Sequence, residues 1–402
     1  MNQHAIPCGK NIVICIDGTG NYYSGIPSNV RRTYSWIEQG SPKQIACYHP
    51  GVGTHPLPEG RTRLGRRIRH AKELCVGAGV IPTVVHLYTY LMQQWEPGDC
   101  IFLFGFSRGA FTARALSGML HVCGLVRRAD AHLVSFAAGL YQTSEARIKR
   151  ERLRRGLPAK FDPAETTDHA SLDIEASDFK SLVGRPCTVR FMGIWDTVKA
   201  YGWLYPQSFP ALRHNCSVEG VGHAVSLHER RALFKVTGWG DRHQAVKEVW
   251  FAGDHSDVGG GHPSGNSPLA DVSLRWMLGE ATNAGLRLNP AMRADVGELE
   301  VRSRDALSAA PHDLWWRNGY WVLDYLPRVE LFNAVYPPKR RPRMFWADGE
   351  RKPADHTEGA GLRFHRTAGE RSARDSRHAP ERLAGGAAFD EEGDLPIRWD
   401  HE

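Results

Sequence analysis

The segment that most constrains this chain is Cys100–Gly109. Five apolar residues, CIFLF, run directly into Gly105-Phe106-Ser107-Arg108-Gly109, and a helix-prone stretch opens at Ala110. A continuous apolar strand without alternation is expected where both faces of a sheet are covered. Passing from such a strand to a helix through G-x-S-x-G demands a tight, strained turn. That turn lifts the serine above the sheet edge and places it at a helix N-terminus, where free N–H groups and the helix dipole favour negative charge. The spacing therefore predicts a mostly parallel α/β sheet with Ser107 as a nucleophile.

Other segments repeat the theme. Asn11–Ile16 is an apolar run closed by Asp17-Gly18-Thr19-Gly20, and Ile45–Tyr48 and Thr188–Trp195 also read as strands. Val249–Phe251 is a shorter one. Pro82–Gln94 and Leu269–Ala284 carry helical spacing. Strands alternating with helices predict a parallel sheet wrapped by helices. Asp130–Gly184 is charged and helix-prone and reads as an insertion or cap. Gly222–Arg231, with His223 and His228, reads as helical. Leu314–Leu326 holds Trp315, Trp316, Tyr320, Trp321 and Tyr325 and reads as a packed lid. Beyond Trp346 the polar composition alone suggests that much of the tail is disordered, and a partly flexible tail is expected. These boundaries predict a catalytic unit over 11–290, with the insertion at about 130–184, and a C-terminal segment over 291–402 that packs on or caps it.

Serine needs a base, and the base needs an orienting carboxylate. Asp196 directly follows the strand ending in Trp195, and His255 follows the strand holding Trp250 and Phe251. Polar residues at the carboxyl ends of parallel strands converge on one crevice. The order Ser107, Asp196, His255 is the one expected for this fold. Asp254 and Asp257 compete as orienting acids, but their nearness to His255 in sequence makes that reach strained. Asp257 is instead expected to brace the Gly259-Gly260-Gly261 turn. The Arg108 N–H and the Gly18-Thr19 loop are the candidate oxyanion donors, with Asp17 in support. A metal-dependent site built from Asp17, His255 and Asp257 is a competing reading, and a catalytically idle scaffold that binds a partner is another.

The net charge of +7 favours anionic partners. Basic residues cluster at Arg61–Arg69, Arg147–Arg155 and Lys339–Arg343. The first two lack the interleaved aromatics of a stacking platform, so a solvated face or anionic lipid is expected rather than nucleic acid. The eight cysteines are scattered and predict reduced thiols. Met1–Lys10 shows no apolar signal region and no run reaches transmembrane length, so a cytoplasmic protein, exported if at all without a Sec signal, is expected.

The ordered segments IDGTGN (16–21), YHPGVGT (48–54), PGDCIFLFGFSRGAFTARALSGML (97–120), GIWDTV (193–198), HAVSLHERR (223–231) and VWFAGDHSDVGGGHP (249–263) together resemble one family. It is the α/β-hydrolase family, long labelled a domain of unknown function, that includes the first class of type VI secretion lipase effectors. The resemblance covers roughly 11–290. It implies a phospholipase or related serine esterase with the triad on Ser107, Asp196 and His255, and no metal or organic cofactor. It also implies a lipid or other ester substrate, peripheral membrane contact, and a secretion-apparatus or immunity-protein partner. His365–Arg371 is similar to a closing H-x-[ST]-x-x-x-R segment of that family. His49 and His228 stand where the family pattern usually carries acids.

Overall fold

The computed structural model describes residues 9–18, 26–51, 79–158, 169–198, 212, 215–231, 234, 236–239, 245–262, 267–306, 309, 311–312, 328–330, 343–345, 362–368 and 389–399. Its centre is an eight-stranded, all-parallel sheet in the order β12-β11-β8-β7-β6-β3-β1-β2. The strands are β1 Asn11–Ile16, β2 Gln44–His49, β3 Cys100–Phe106, β6 Val189–Trp195, β7 Gly220–Ser226, β8 Ala245–Phe251, β11 Leu362–His365 and β12 Phe389–Glu392. Two short antiparallel ribbons pair β4 Leu125–Val126 with β5 Gly184–Arg185, and β9 Arg328–Glu330 with β10 Arg343–Phe345.

The absence of alternation in NIVICI and CIFLF has a direct explanation. Successive side chains point to opposite faces, and each face has its own core. Ile12, Ile14, Ile16, Ile101 and Leu103 pack with helices Val80–Gln94 and Arg108–Cys123. Val13, Cys15, Phe102, Phe104 and Phe106 pack on the other face with helices Asn29–Trp36 and Pro268–Asn283. Helix Val80–Gln94 buries Val84, Leu87, Tyr88 and Leu91 along one stripe, as its spacing predicts. Helix Arg108–Cys123 is buried along its whole length. Its first turn lies close to the sheet, where Gly109 approaches the Ile16 carbonyl and Ala110 approaches Gly105.

The predicted insertion is helical. Helices Val134–Arg154 and Ile174–Val183 lie between β4 and β5, whose pairing clips its ends together. Arg147 grips both carboxylate oxygens of buried Asp173 at 2.7 Å, a bidentate pair that joins the two halves. Arg154 and Arg155 both pair with Glu151, so this basic cluster is partly neutralised within its own helix.

Two expectations change. Gly222–Arg231 is not helical: Gly220–Ser226 is strand β7, and His223 is fully buried in it. Short runs covered on both faces carry no period that separates strand from helix. Within the polar tail two strands are described. β11 joins the edge at β8, where Phe364 packs with Trp250 and Val225, and β12 pairs beyond it. Within 291–402, β11 and β12 thus continue the same sheet, while β9 and β10 form their own ribbon and Arg293–Asp305 is a helix. Finally, Cys100 is disulfide-bonded, whereas Cys15, Cys47, Cys123, Cys187 and Cys216 are free. The aromatic segment 314–326 and the basic cluster 61–69 lie outside the described residues.

Candidate active site

Ser107 sits between β3 and its helix at φ 58°, ψ −120°. An ordinary helix-capping serine has an extended backbone and a side chain bonded to the first turn; Ser107 has neither. The two glycines of the motif make this turn possible. A Cβ on Gly105 would fall 2.6 Å from Ala110 Cα, and one on Gly109 would fall 2.2 Å from the Ile16 carbonyl oxygen. The Ser107 N–H donates to the Trp195 carbonyl at 3.0 Å, clipping the turn to the neighbouring strand.

Asp196 follows β6 at φ 40° and is fully buried. Among the described residues, Ser107 and Asp196 are the two non-glycine positions with positive φ. Such conformations cost about 1–3 kcal/mol each and persist where surroundings over-determine them. Around Asp196 they do: its N–H donates to Ala224 O at 2.7 Å, and its Oδ1 accepts from Ser226 N–H at 2.9 Å. Its Oδ2 lies 2.5 Å from His255 Nδ1.

His255 opens the short helix His255–Gly259, capped by Asp254, which accepts from Ser256 and Asp257 N–H groups. Asp257 completes this capping box by accepting from the Asp254 N–H, and also accepts from His312 and Ser267. Asp257 is thus a brace, and the carboxylate that reaches His255 Nδ1 is Asp196, not either near neighbour. Phe106 and Phe234 pack their rings on the imidazole at 4.6 and 4.8 Å. Burial pushes the His255 conjugate acid below its ordinary value, although the Asp196 bond and charge oppose that shift. Burial and the Asp257 carboxylate raise the Asp254 carboxyl to about 8.

Gly18 comes close to the serine: a methyl group there would lie 3.5 Å from Ser107 Cβ. Asp17 is fully buried and accepts from the Gly18 N–H, Ser28 and Tyr48, so it shapes this loop. Arg108 begins the helix after Ser107 and is buried. Thr19 lies outside the described residues. Among the described residues no group of three or more His, Cys, Asp or Glu is arranged to hold a metal. Asp17 and Asp257, two of the three groups in the competing metal reading, each face several hydrogen-bond donors.

Sequence reasoning missed several residues here. Glu229 accepts the His255 N–H at 3.3 Å and pairs through both oxygens with Arg231, whose guanidinium stacks on Phe234 at 3.8 Å. His228 accepts the Gly253 N–H at 2.8 Å. The signal for them is the density of charged residues in Leu227–Arg231, directly after strand β7.

An all-parallel sheet wrapped by helices, with a strained serine elbow on a central strand, defines an α/β-hydrolase fold. The model of the family described as "T6SS, Phospholipase effector Tle1-like, catalytic domain" matches residues 10–280, and the chain belongs to that family. It is 35% identical over 237 residues to the uncharacterized protein YEL023C of Saccharomyces cerevisiae, covering 56% of this chain and 32% of the relative. The chain therefore spans about a third of that curated relative's length. Among solved structures it is similar to an uncharacterized protein from Pseudomonas aeruginosa (TM-score 0.38, 20% identity, 76% of this chain and 52% of that one). Another is the Tle1 effector bound to the VgrG spike of the type 6 secretion system (TM-score 0.34, 15% identity, 79% and 84%). Among the described residues, no helix is long and apolar enough to cross a membrane.

Proposed function

We propose that this chain hydrolyses carboxylic esters of phospholipids through an acyl-enzyme, with Ser107, Asp196 and His255 as the triad. The observation that carries the reading is the 2.5 Å contact of Asp196 Oδ2 with His255 Nδ1, beside a serine held at φ 58°. With Nδ1–H bonded to Asp196, His255 Nε2 is the basic nitrogen. It takes the Ser107 proton as Oγ attacks the ester carbonyl, and returns it to the leaving alcohol as that bond breaks. Water then attacks the acyl-enzyme by the same path in reverse. The Arg108 N–H holds the oxyanion, whereas the Gly18 N–H, a donor expected from the sequence, is taken by Asp17 Oδ1 at 2.6 Å; removing one oxyanion donor typically costs about 10²–10³-fold in kcat. No metal or organic cofactor enters these steps.

Family membership supports a lipid substrate. The net charge of +7 supports peripheral contact with anionic headgroups. We extend to this chain the partner recorded for the Tle1 effector, a VgrG-type secretion spike, together with a neutralising immunity protein. Its place before export is the cytoplasm of the producing cell.

The test is mass spectrometry of products from mixed phospholipid vesicles, with Ser107→Ala as control. Fatty acid and lysophospholipid are expected from the wild type alone. Equal products from both proteins, or hydrolysis only of non-lipid esters, would overturn the lipase assignment.

A further inference from the structure

A buried polar chain runs behind the acid loop. His223, in the middle of β7, is fully buried. Its Nδ1 lies 2.8 Å from Glu248 Oε2 on β8, its register partner. Its Nε2 accepts the backbone N–H of Thr197, the residue after Asp196, at 3.3 Å. An N–H facing Nε2 requires that nitrogen to be unprotonated, so the ring proton sits on Nδ1 toward Glu248. Glu248 Oε2 also accepts from the Trp239 N–H at 2.8 Å. Burial works against the Glu248 charge, yet His223, the Trp239 N–H and Arg114 hold its carboxyl below the ordinary value.

The chain closes back on the nucleophile. Thr197 O accepts from the Thr237 N–H at 2.9 Å. Thr237 O and Gly238 O accept from Arg114 at 2.6 and 2.8 Å, and the guanidinium lies over Trp239 at 4.7 Å. Arg114 is itself fully buried, on the helix that begins after Ser107. Both backbone polar groups of Thr197 are thus tied to one network, which starts from the nucleophile helix.

Stability alone does not explain such a network. Replacing both partners of a buried hydrogen-bonded pair by apolar groups of the same shape can be nearly neutral or stabilising. What His223 adds is an acceptor at one place, for the N–H following a strained Asp196. We propose that His223 and Glu248 are positioning residues for the acid: Glu248 fixes the His223 tautomer, and His223 Nε2 holds the Thr197 N–H so that Asp196 keeps its reach to His255. This rests on the triad proposed above.

The test uses the full chain, p-nitrophenyl esters and four variants: His223→Leu, Glu248→Gln, Glu248→Met and Ser107→Ala. A misplacement on the order of 1 Å can cost about 10²-fold in rate, so His223→Leu and Glu248→Met should lose about that much kcat with KM little changed. Glu248→Gln keeps an acceptor of similar shape and should keep most of the activity. The low-field proton resonance of the Asp196–His255 bond should shift in the Leu and Met variants and survive in Gln. If His223→Leu does not fold, the Gln and Met pair, similar in volume and different in acceptor, carries the test. Wild-type kcat in folded His223→Leu or Glu248→Met overturns the positioning role. So does a loss that follows thermal stability while the proton resonance stays put. An active Ser107→Ala would instead overturn the triad, so the two failures read differently.

Discussion

The Ser107 N–H donates to the Trp195 carbonyl at 3.0 Å. This rung joins the serine elbow to the residue just before Asp196. β3 and β6 are neighbours in register at Phe106 and Trp195, so both chains leave the sheet at one height. Both then turn through positive φ, at 58° and 40°. Ser107 and Asp196, the proposed nucleophile and acid, are therefore set relative to each other by backbone, and side-chain rotamers adjust only the last ångströms.

The elbow should tolerate no Cβ at Gly109. The clash, 2.2 Å from Ile16 O and 2.5 Å from Asp17 O, is with backbone. Gly109→Ala should cost about 3 kcal/mol or more, the upper range for overpacked sites, read as a lower denaturation midpoint. Gly139 is the control. It lies exposed in helix Val134–Arg154 with nothing within 4 Å of a new Cβ. Gly139→Ala should stabilise by about 0.5–1 kcal/mol.

Asp196→Asn should keep the fold and lose about 10⁴-fold in kcat, because the amide no longer selects the His255 tautomer with a proton on Nδ1. Ester hydrolysis at saturating substrate, with circular dichroism as the folding check, reads this. Activity within tenfold of wild type would remove Asp196 from the triad.

The pH profile follows from His255. A general base works neutral, and burial lowers its pKa below the ordinary 6.5 even against Asp196. kcat/KM should therefore fall only as pH drops through a pKa below that value, and stay flat through neutrality. An acid limb centred above pH 7 would contradict the environment described for this ring.

Asp254 gives a stability test of opposite sign to the usual carboxylate. Its folded value of about 8 exceeds the ordinary 3.8. Between those values the folded state holds the extra proton, so its contribution to stability declines as pH rises. Asn caps a helix about as well as Asp. The Tm advantage of Asp254→Asn over wild type should grow from about pH 4 to about pH 8; a constant or shrinking difference would contradict the shift.

Much of this was legible in the sequence, for physical reasons. Strands covered on both faces announce themselves as apolar runs, and CIFLF followed by G-x-S-x-G has few structural solutions. That Asp196 and His255 meet was readable because each directly follows such a run. β7 was not, because GVGHAVS places a histidine in a buried strand, which periodicity cannot distinguish from a helix. Nor was β11, which owes its place to pairing with β8 and to Phe364 packing on Trp250. The His223–Glu248 pair and the Glu229–Arg231 pair depend on contacts between separate strands and loops, and no single segment carries them.

The most direct measurement is fluorophosphonate labelling of the full chain, followed by peptide mass spectrometry and ester kinetics for wild type and Ser107→Ala. The expected result is one adduct, on Ser107, with loss of activity in proportion to labelling. Ser107→Ala should neither label nor retain more than about a thousandth of the wild-type kcat. An adduct on another residue, or an unlabelled and fully active Ser107→Ala protein, would contradict the central claim.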